Sequence, residues 1–179
     1  MWQARERIEQ EAAALFELIG DHLEQAKESA TLVKMARQAA ADELDHAQRC
    51  RVLVDLFAPD LETLAVPPVQ ALGPPGLTLR DRALYETVAV GCVTESLSCG
   101  LLLAMRERAT HPKVAETIQH ILQDEVQHSR LGWAHLAHAA ARRDVSWLVP
   151  YVQPMLRAAL AADVVPLCVN ENQEGLGVL

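Results

Sequence analysis

The sequence predicts an all-α protein: a four-helix bundle with one long crossover between its second and third helices, followed by a short accessory helix. Three observations predict it. Half of the 179 residues are apolar while aromatics reach only 4%, so Ala and Leu, strong helix formers, carry much of the apolar content. Apolar residues recur at three- and four-residue steps over several long segments. Five of the nine prolines fall in one stretch, residues 58 to 79. The length suits one domain with a sizeable core.

The first helix is expected over about residues 3 to 27, where Ile8, Ala12, Leu15, Phe16, Ile19 and Leu23 make one apolar stripe. The polar "KESAT" then offers Ser29 and Thr31 as N-caps for a second helix, about 30 to 57. "APDLETLAVPPVQALGPPGLTL" cannot continue a helix, because proline lacks the N–H and clashes with the preceding turn. A helix of ~25 residues is ~38 Å long at ~1.5 Å per residue. An extended chain covers ~3.3 Å per residue, so this stretch can run the length of a bundle. A third helix covers about 80 to 109. Thr110 or His111 then caps a fourth, about 113 to 142, with Pro112 in its first turn. A Pro-interrupted segment follows at about 146 to 162, and the tail from 166 to 179 reads as irregular. The expected division is 1–165 for the bundle with its accessory helix and 166–179 for the tail.

The chemistry lies in a repeated motif. "DELDH" places Glu43 and His46 three residues apart on one helix face, in a segment of small and apolar residues. One copy fits either a solvated face or half of a metal site. A second copy, "DEVQH", places Glu125 and His128 in the fourth helix, so each hairpin carries the motif on its second helix. Each copy has an upstream carboxylate on the first helix of its pair. Glu9 lies 34 residues before Glu43, and Glu95 lies 30 residues before Glu125. One Glu from each of two helices plus Glu-x-x-His from each of the other two is the dinuclear carboxylate site of ferritin-like bundles. The predicted ligands are therefore Glu9, Glu43, His46, Glu95, Glu125 and His128. Four carboxylates balance two divalent cations, and oxygen donors with two imidazoles suit iron or manganese. The expected cofactor is two Fe ions, with Mn or a mixed Mn/Fe pair as the alternative.

Asp42 and Asp124 precede the ligand glutamates and are expected to accept from imidazole N–H groups, each from the histidine of the opposite hairpin. Small residues near the ligands (Ala12, Ala13, Ala39, Gly91, Ser98) leave either a cavity or close helix packing. Tyr85 and Trp133 fall off the ligand stripes and are read as packing residues. Cys92 and Cys99 are read as core. His22, His111, His120, His135 and His138 have no carboxylate at suitable spacing and are assigned to surface or capping roles.

"IEQEAAALF", "AAADELDHAQRC", "VGCVTESLSCGLL" and "QDEVQHSRLGWAHL" resemble the four helix segments of bacterial ferritin-like domain proteins in the ferritin/rubrerythrin superfamily. The resemblance spans about residues 2 to 142 and implies metal ligation by the same six residues. Two departures stand out. A rubredoxin-like cysteine module is missing, and "EQAKESAT" replaces the Gly-Pro turn frequent between the first two helices of such proteins.

A net charge of −8 argues against nucleic acid or an anionic membrane as the partner. The charged "MWQARERIEQE" lacks the apolar core of a secretory signal, and no apolar run approaches bilayer length; the cytoplasm is the expected compartment. The four cysteines show no CxxC spacing and are expected to be free thiols. The expected function is oxidation of a small substrate by O2 or peroxide at the dinuclear centre, fed by an external electron donor. Iron oxidation and storage, or a non-catalytic metal-bound bundle, are the alternatives. The accessory segment would cap the bundle or form the surface of a homodimer.

Overall fold

The computed structural model describes residues 1–165, all-helical apart from the connections; the irregular tail expected from the sequence, residues 166–179 with Cys168, lies outside the described residues. Helix α1 runs Trp2–Gln25 and α2 Ala30–Phe57. They join through a tight turn in which Lys27 takes a left-handed φ of 57°. Glu28 N–H reaches back to Leu23 O at 2.9 Å, the closure that glycine ordinarily supports at a helix end. Lysine here accepts the strain glycine would avoid. Ser29 Oγ then accepts from Leu32 N–H at 3.3 Å and opens α2.

The third helix of the bundle, Leu79–Arg108, is built in three parts. Helix α3 (Leu79–Thr87) passes into a π-helical segment (Val88–Thr94) and then into α4 (Glu95–Arg108). Its best 18-residue window has mean hydropathy 1.8, so by length and composition it could cross a membrane. This corrects the expectation that no apolar run approaches that length. The helix carries Glu86 and Glu95 buried within the bundle. Helix α5 spans Pro112–Ala140, capped by His111, whose Nδ1 accepts from Lys113 N–H at 3.2 Å. A 3₁₀ turn (Ser146–Leu148), α6 (Val149–Ala159) and a second π segment (Leu160–Val164) complete the described chain.

The topology is two antiparallel hairpins, α1/α2 and α3–α4/α5, joined by residues 58–78: an all-α, ferritin-like bundle. The crossover is docked, not loose. Gln3 Nε2 donates to Glu62 O (2.6 Å) and Arg51 Nη2 to Leu61 O (3.0 Å) at one end of the bundle. At the other end Leu72 N–H donates to the buried Glu86 (3.1 Å), and Arg82 Nη1 donates to Leu72 O (2.5 Å). His22 Nδ1 lies 2.7 Å from the second oxygen of Glu86. His22 therefore has a carboxylate partner after all, one distant in sequence.

Two apolar clusters fill the bundle. One gathers Trp2, Leu53, Leu102, Ile118 and Ile121; the other gathers Phe16, Ile19, Leu32, Ala36 and Leu131. In every helix the predicted ligands fall between the residues of these clusters. A polar layer is thus sealed between two apolar ones. A third cluster, including Leu84, Val88, Cys92, Leu148 and Met155, docks α6 on the outside of the third helix.

Candidate metal centre

All six predicted ligands are buried, at 3% exposure or less. They form two overlapping groups whose ligand atoms lie within 4.8 Å of one another: Glu9, Glu43, His46 and Glu125, and Glu43, Glu95, Glu125 and His128. Glu43 and Glu125 belong to both. The two groups thus share two carboxylates, and each adds one further Glu and one His. Each group draws ligands from both hairpins.

The histidines aim one nitrogen inward and the other outward. His46 Nδ1 is 3.2 Å from Glu43, and His128 Nδ1 is 3.0 Å from Glu43 and 3.1 Å from Glu125. Outward, His46 Nε2 lies 3.2 Å from Asp124 and His128 Nε2 lies 3.3 Å from Asp42. Each aspartate thus meets the histidine of the other hairpin. An Nε2–H donated to carboxylate fixes the tautomer that presents Nδ1 to a metal.

The layer also holds a residue that the sequence reading missed. Arg5 is 2% exposed. Its guanidinium pairs with Glu9 through Nε, and its Nη2 donates to Ser98 Oγ (2.9 Å) and Glu125 Oε1 (3.0 Å). Ser98 Oγ donates in turn to Glu125 Oε1 at 2.7 Å. Arg5 sits four residues before Glu9, on the same helix face. That spacing was the available signal, hidden in the highly charged "RERIEQE". Arg5 also changes the charge balance. With two divalent cations bound, four carboxylates and one guanidinium would leave the inner set with one positive charge in excess, which Asp42 and Asp124 beside the histidines more than offset.

Burial raises the Glu9 carboxyl well above its ordinary range, with Glu43 and Glu125 adding repulsion that Arg5 only partly offsets. Glu95 is likewise raised well above its range by burial and by Glu125. Burial also acts on Glu125, but hydrogen bonds from Glu95 and His128 and the charge of Arg5 outweigh it and hold this carboxyl low. Burial opposes a charge on the imidazoles, yet the surrounding carboxylates raise His46 to about 9 and His128 to about 11. Protons thus occupy the inner faces of the ring nitrogens, and a cation binding there displaces them. The donor set of four carboxylates and two imidazoles, already converged and wholly buried, fits a pair of iron or manganese ions.

The carboxylate side of the centre opens into a cavity of about 580 Å³ that Glu9, Glu43, Glu95 and Glu125 border and the two histidines do not. Ala12 and Ser98 line it, whereas Ala13 and Ala39 belong to the buried core. Gly91 serves close packing. A Cβ there would lie 2.7 Å from the backbone nitrogen of Gly132, and one on Gly132 would lie 2.5 Å from Thr87 O. Tyr85 lines the cavity and meets Tyr151 edge-on, with ring centroids 5.6 Å apart. Trp133 is 55% exposed, so the packing role expected for it is wrong. Cys50 and Cys92 are buried free thiols and Cys99 is a half-buried one.

Two other histidines depart from the sequence reading. His120 Nε2 lies 3.1 Å from Asp45 and 3.7 Å from Asp124, so it too has carboxylate partners. His135 is buried and hydrogen-bonded to Thr87 Oγ1 at 2.8 Å, a core residue where a surface or cap was expected.

In comparison with known proteins, the family model described as Rubrerythrin matches residues 6–134. No curated protein and no solved structure matches the chain.

Proposed function

Because the chain belongs to the rubrerythrin family, we propose that it holds two iron ions and uses them with O2 or peroxide to oxidise a small substrate. The observation that carries this reading is the pair of overlapping ligand groups sharing Glu43 and Glu125, open on the carboxylate side to a cavity. When bound, two iron ions supply reversible electron transfer and Lewis acidity; manganese or a mixed pair suits the same donors. The protein supplies the rest. Glu43 and Glu125, which belong to both ligand groups, would hold both ions. Arg5 and Ser98 hold the Glu125 Oε1 atom in place, which keeps this carboxylate from swinging into the cavity. Asp42 and Asp124 orient the imidazoles and keep Nδ1 inward. The apolar layers on either side exclude water from all but the cavity face.

In this reading the partners are O2 or peroxide, a small organic substrate and an external electron donor. Neither nucleic acid nor a membrane takes part, the compartment is the cytoplasm, and the assembly is a monomer or homodimer, not a storage shell. A protein that stores iron moves many ions through its site, whereas the backed histidines and the Arg5 clamp favour ions kept through turnover. Titration of ferrous ion in air tests this. The expected result is a burst that oxidises about two irons per chain, with further cycles requiring added reductant. Oxidation and retention of tens of irons per chain in a large assembly would replace this reading with storage.

A further inference from the structure

We propose that the cavity beside the centre is a binding site for an apolar small molecule, a hydrocarbon chain or ring system carrying at most one polar group. The inference rests on the oxidation reading above and gives its substrate a chemical class. The cavity, about 580 Å³, lies in the size range of pockets that enclose small organic ligands. Four separate parts of the chain wall it: α1 through Ala12 and Leu15, the crossover through Pro67, Pro68 and Val69, the third helix through Tyr85, Ala89 and Val90, and α6 through Met155. One end is the carboxylate face of the metal layer. A mere packing gap between apolar elements would not terminate on four convergent carboxylates.

The distribution of polar groups sets the class. At the floor, Arg5 and Ser98 are committed to Glu9 and Glu125. On the walls, the Thr94 hydroxyl is turned to Ala89 O (3.2 Å) and the Glu11 carboxylate is paired with Arg7 (2.7 Å), which leaves the Tyr85 hydroxyl and the exposed Gln70 amide as the polar side-chain groups on offer. Proline has no N–H, so Pro67 and Pro68 bring no backbone donor to the crossover wall. A sugar or a peptide entering here would lose water and find few replacements, and buried polar groups left unpaired oppose binding. An apolar molecule loses nothing by the same transfer. The metal layer at the floor is then the place for the one polar end.

The test uses Nile red as the probe, titrated by fluorescence into the full chain with and without manganous ion. The expected result is one saturable site per chain, emptied by decan-1-ol and not by butane-1,4-diol. Ala12→Trp fills the wall beside Leu15 and should weaken binding at least tenfold. Ala158→Trp does the same from the exposed rim, and circular dichroism identifies whichever variant is folded. Trp133→Ala, on a surface outside the cavity, should leave binding unchanged. Absence of saturable binding, or binding unaffected by both tryptophans, overturns the proposal. So does loss of binding in Trp133→Ala alone. Elemental analysis of the same samples separates the two readings. Bound metal without probe binding overturns the pocket and spares the centre, whereas probe binding without metal uptake supports the pocket and overturns the oxidation.

Discussion

Among the described residues, Arg5 is the one permanent cation in a layer of four buried carboxylates, and its removal leaves Glu9 and Glu125 without it. Breaking a buried ion pair from one side costs about 3–5 kcal/mol. Arg5→Met should therefore lower the stability of metal-free protein by about that amount. Manganous ion should restore much of the loss, because the cations replace the missing charge; urea unfolding with and without metal measures both. His135 supplies a second prediction. Burial, reinforced by His138 and Arg143 against the opposing pull of Glu28, lowers its pKa from 6.5 to about 4. The folded state thus favours the neutral ring. The unfolded chain takes up the proton first as pH falls, so the contribution is complete above about 6.5 and is lost between about 6.5 and 4. His135→Gln should flatten that part of the stability curve relative to the parent chain. The six ligand residues were legible because their spacing repeats across two hairpins. The reach of Arg5 and Ser98 to Glu125 and the His22–Glu86 pair were not, because these partnerships span helices and leave no periodic signature, and the Arg5–Glu9 spacing was lost in a highly charged stretch.

At the scale of elements, the π segment Val88–Thr94 is the part of the fold that the sequence hid. "VAVGCVT" has ordinary helical periodicity; the widening depends on how the segment packs on α5. Gly91 and Gly132 let the two backbones touch there, immediately before Glu95 enters the polar layer. Gly132→Ala would place a Cβ 2.5 Å from both Thr87 O and Cys92 N, atoms that cannot swing aside. The expected cost is about 1–3 kcal/mol, the usual range for overpacking. Metal content should fall with it, since Glu95 would shift against Glu125. A stability loss without any loss of bound metal would show that the glycine contact supports the helix and not the site. Helix limits were otherwise readable to within a residue or two, because caps such as Ser29 and His111 and the N1 proline Pro112 mark them locally.

At the scale of the molecule, the crossover was legible from its prolines, but its docking was not. Glu86, Arg82 and Arg51 tie it down through backbone atoms, and such contacts leave no mark in composition. α6 likewise reads as an accessory piece, and only the assembled fold reveals that it walls the cavity with the crossover. The bound cations should stabilise the whole bundle by mass action, so manganous or ferrous ion should raise the thermal midpoint of the parent chain; no change would argue against convergent carboxylates. The crossed pairs Asp42–His128 and Asp124–His46 carry a consequence for the order of assembly. Neither hairpin can finish its own half of the centre, because each needs the other's aspartate to set its imidazole and the other's bridging glutamate to complete its ligands. A solitary hairpin should therefore capture metal poorly. In stopped-flow refolding, helix content should recover before manganese is sequestered, with capture delayed until the hairpins meet, and Asp42→Asn should slow or weaken capture without slowing the earlier phase. The ion is then a late guest, admitted only once the two halves have recognised each other.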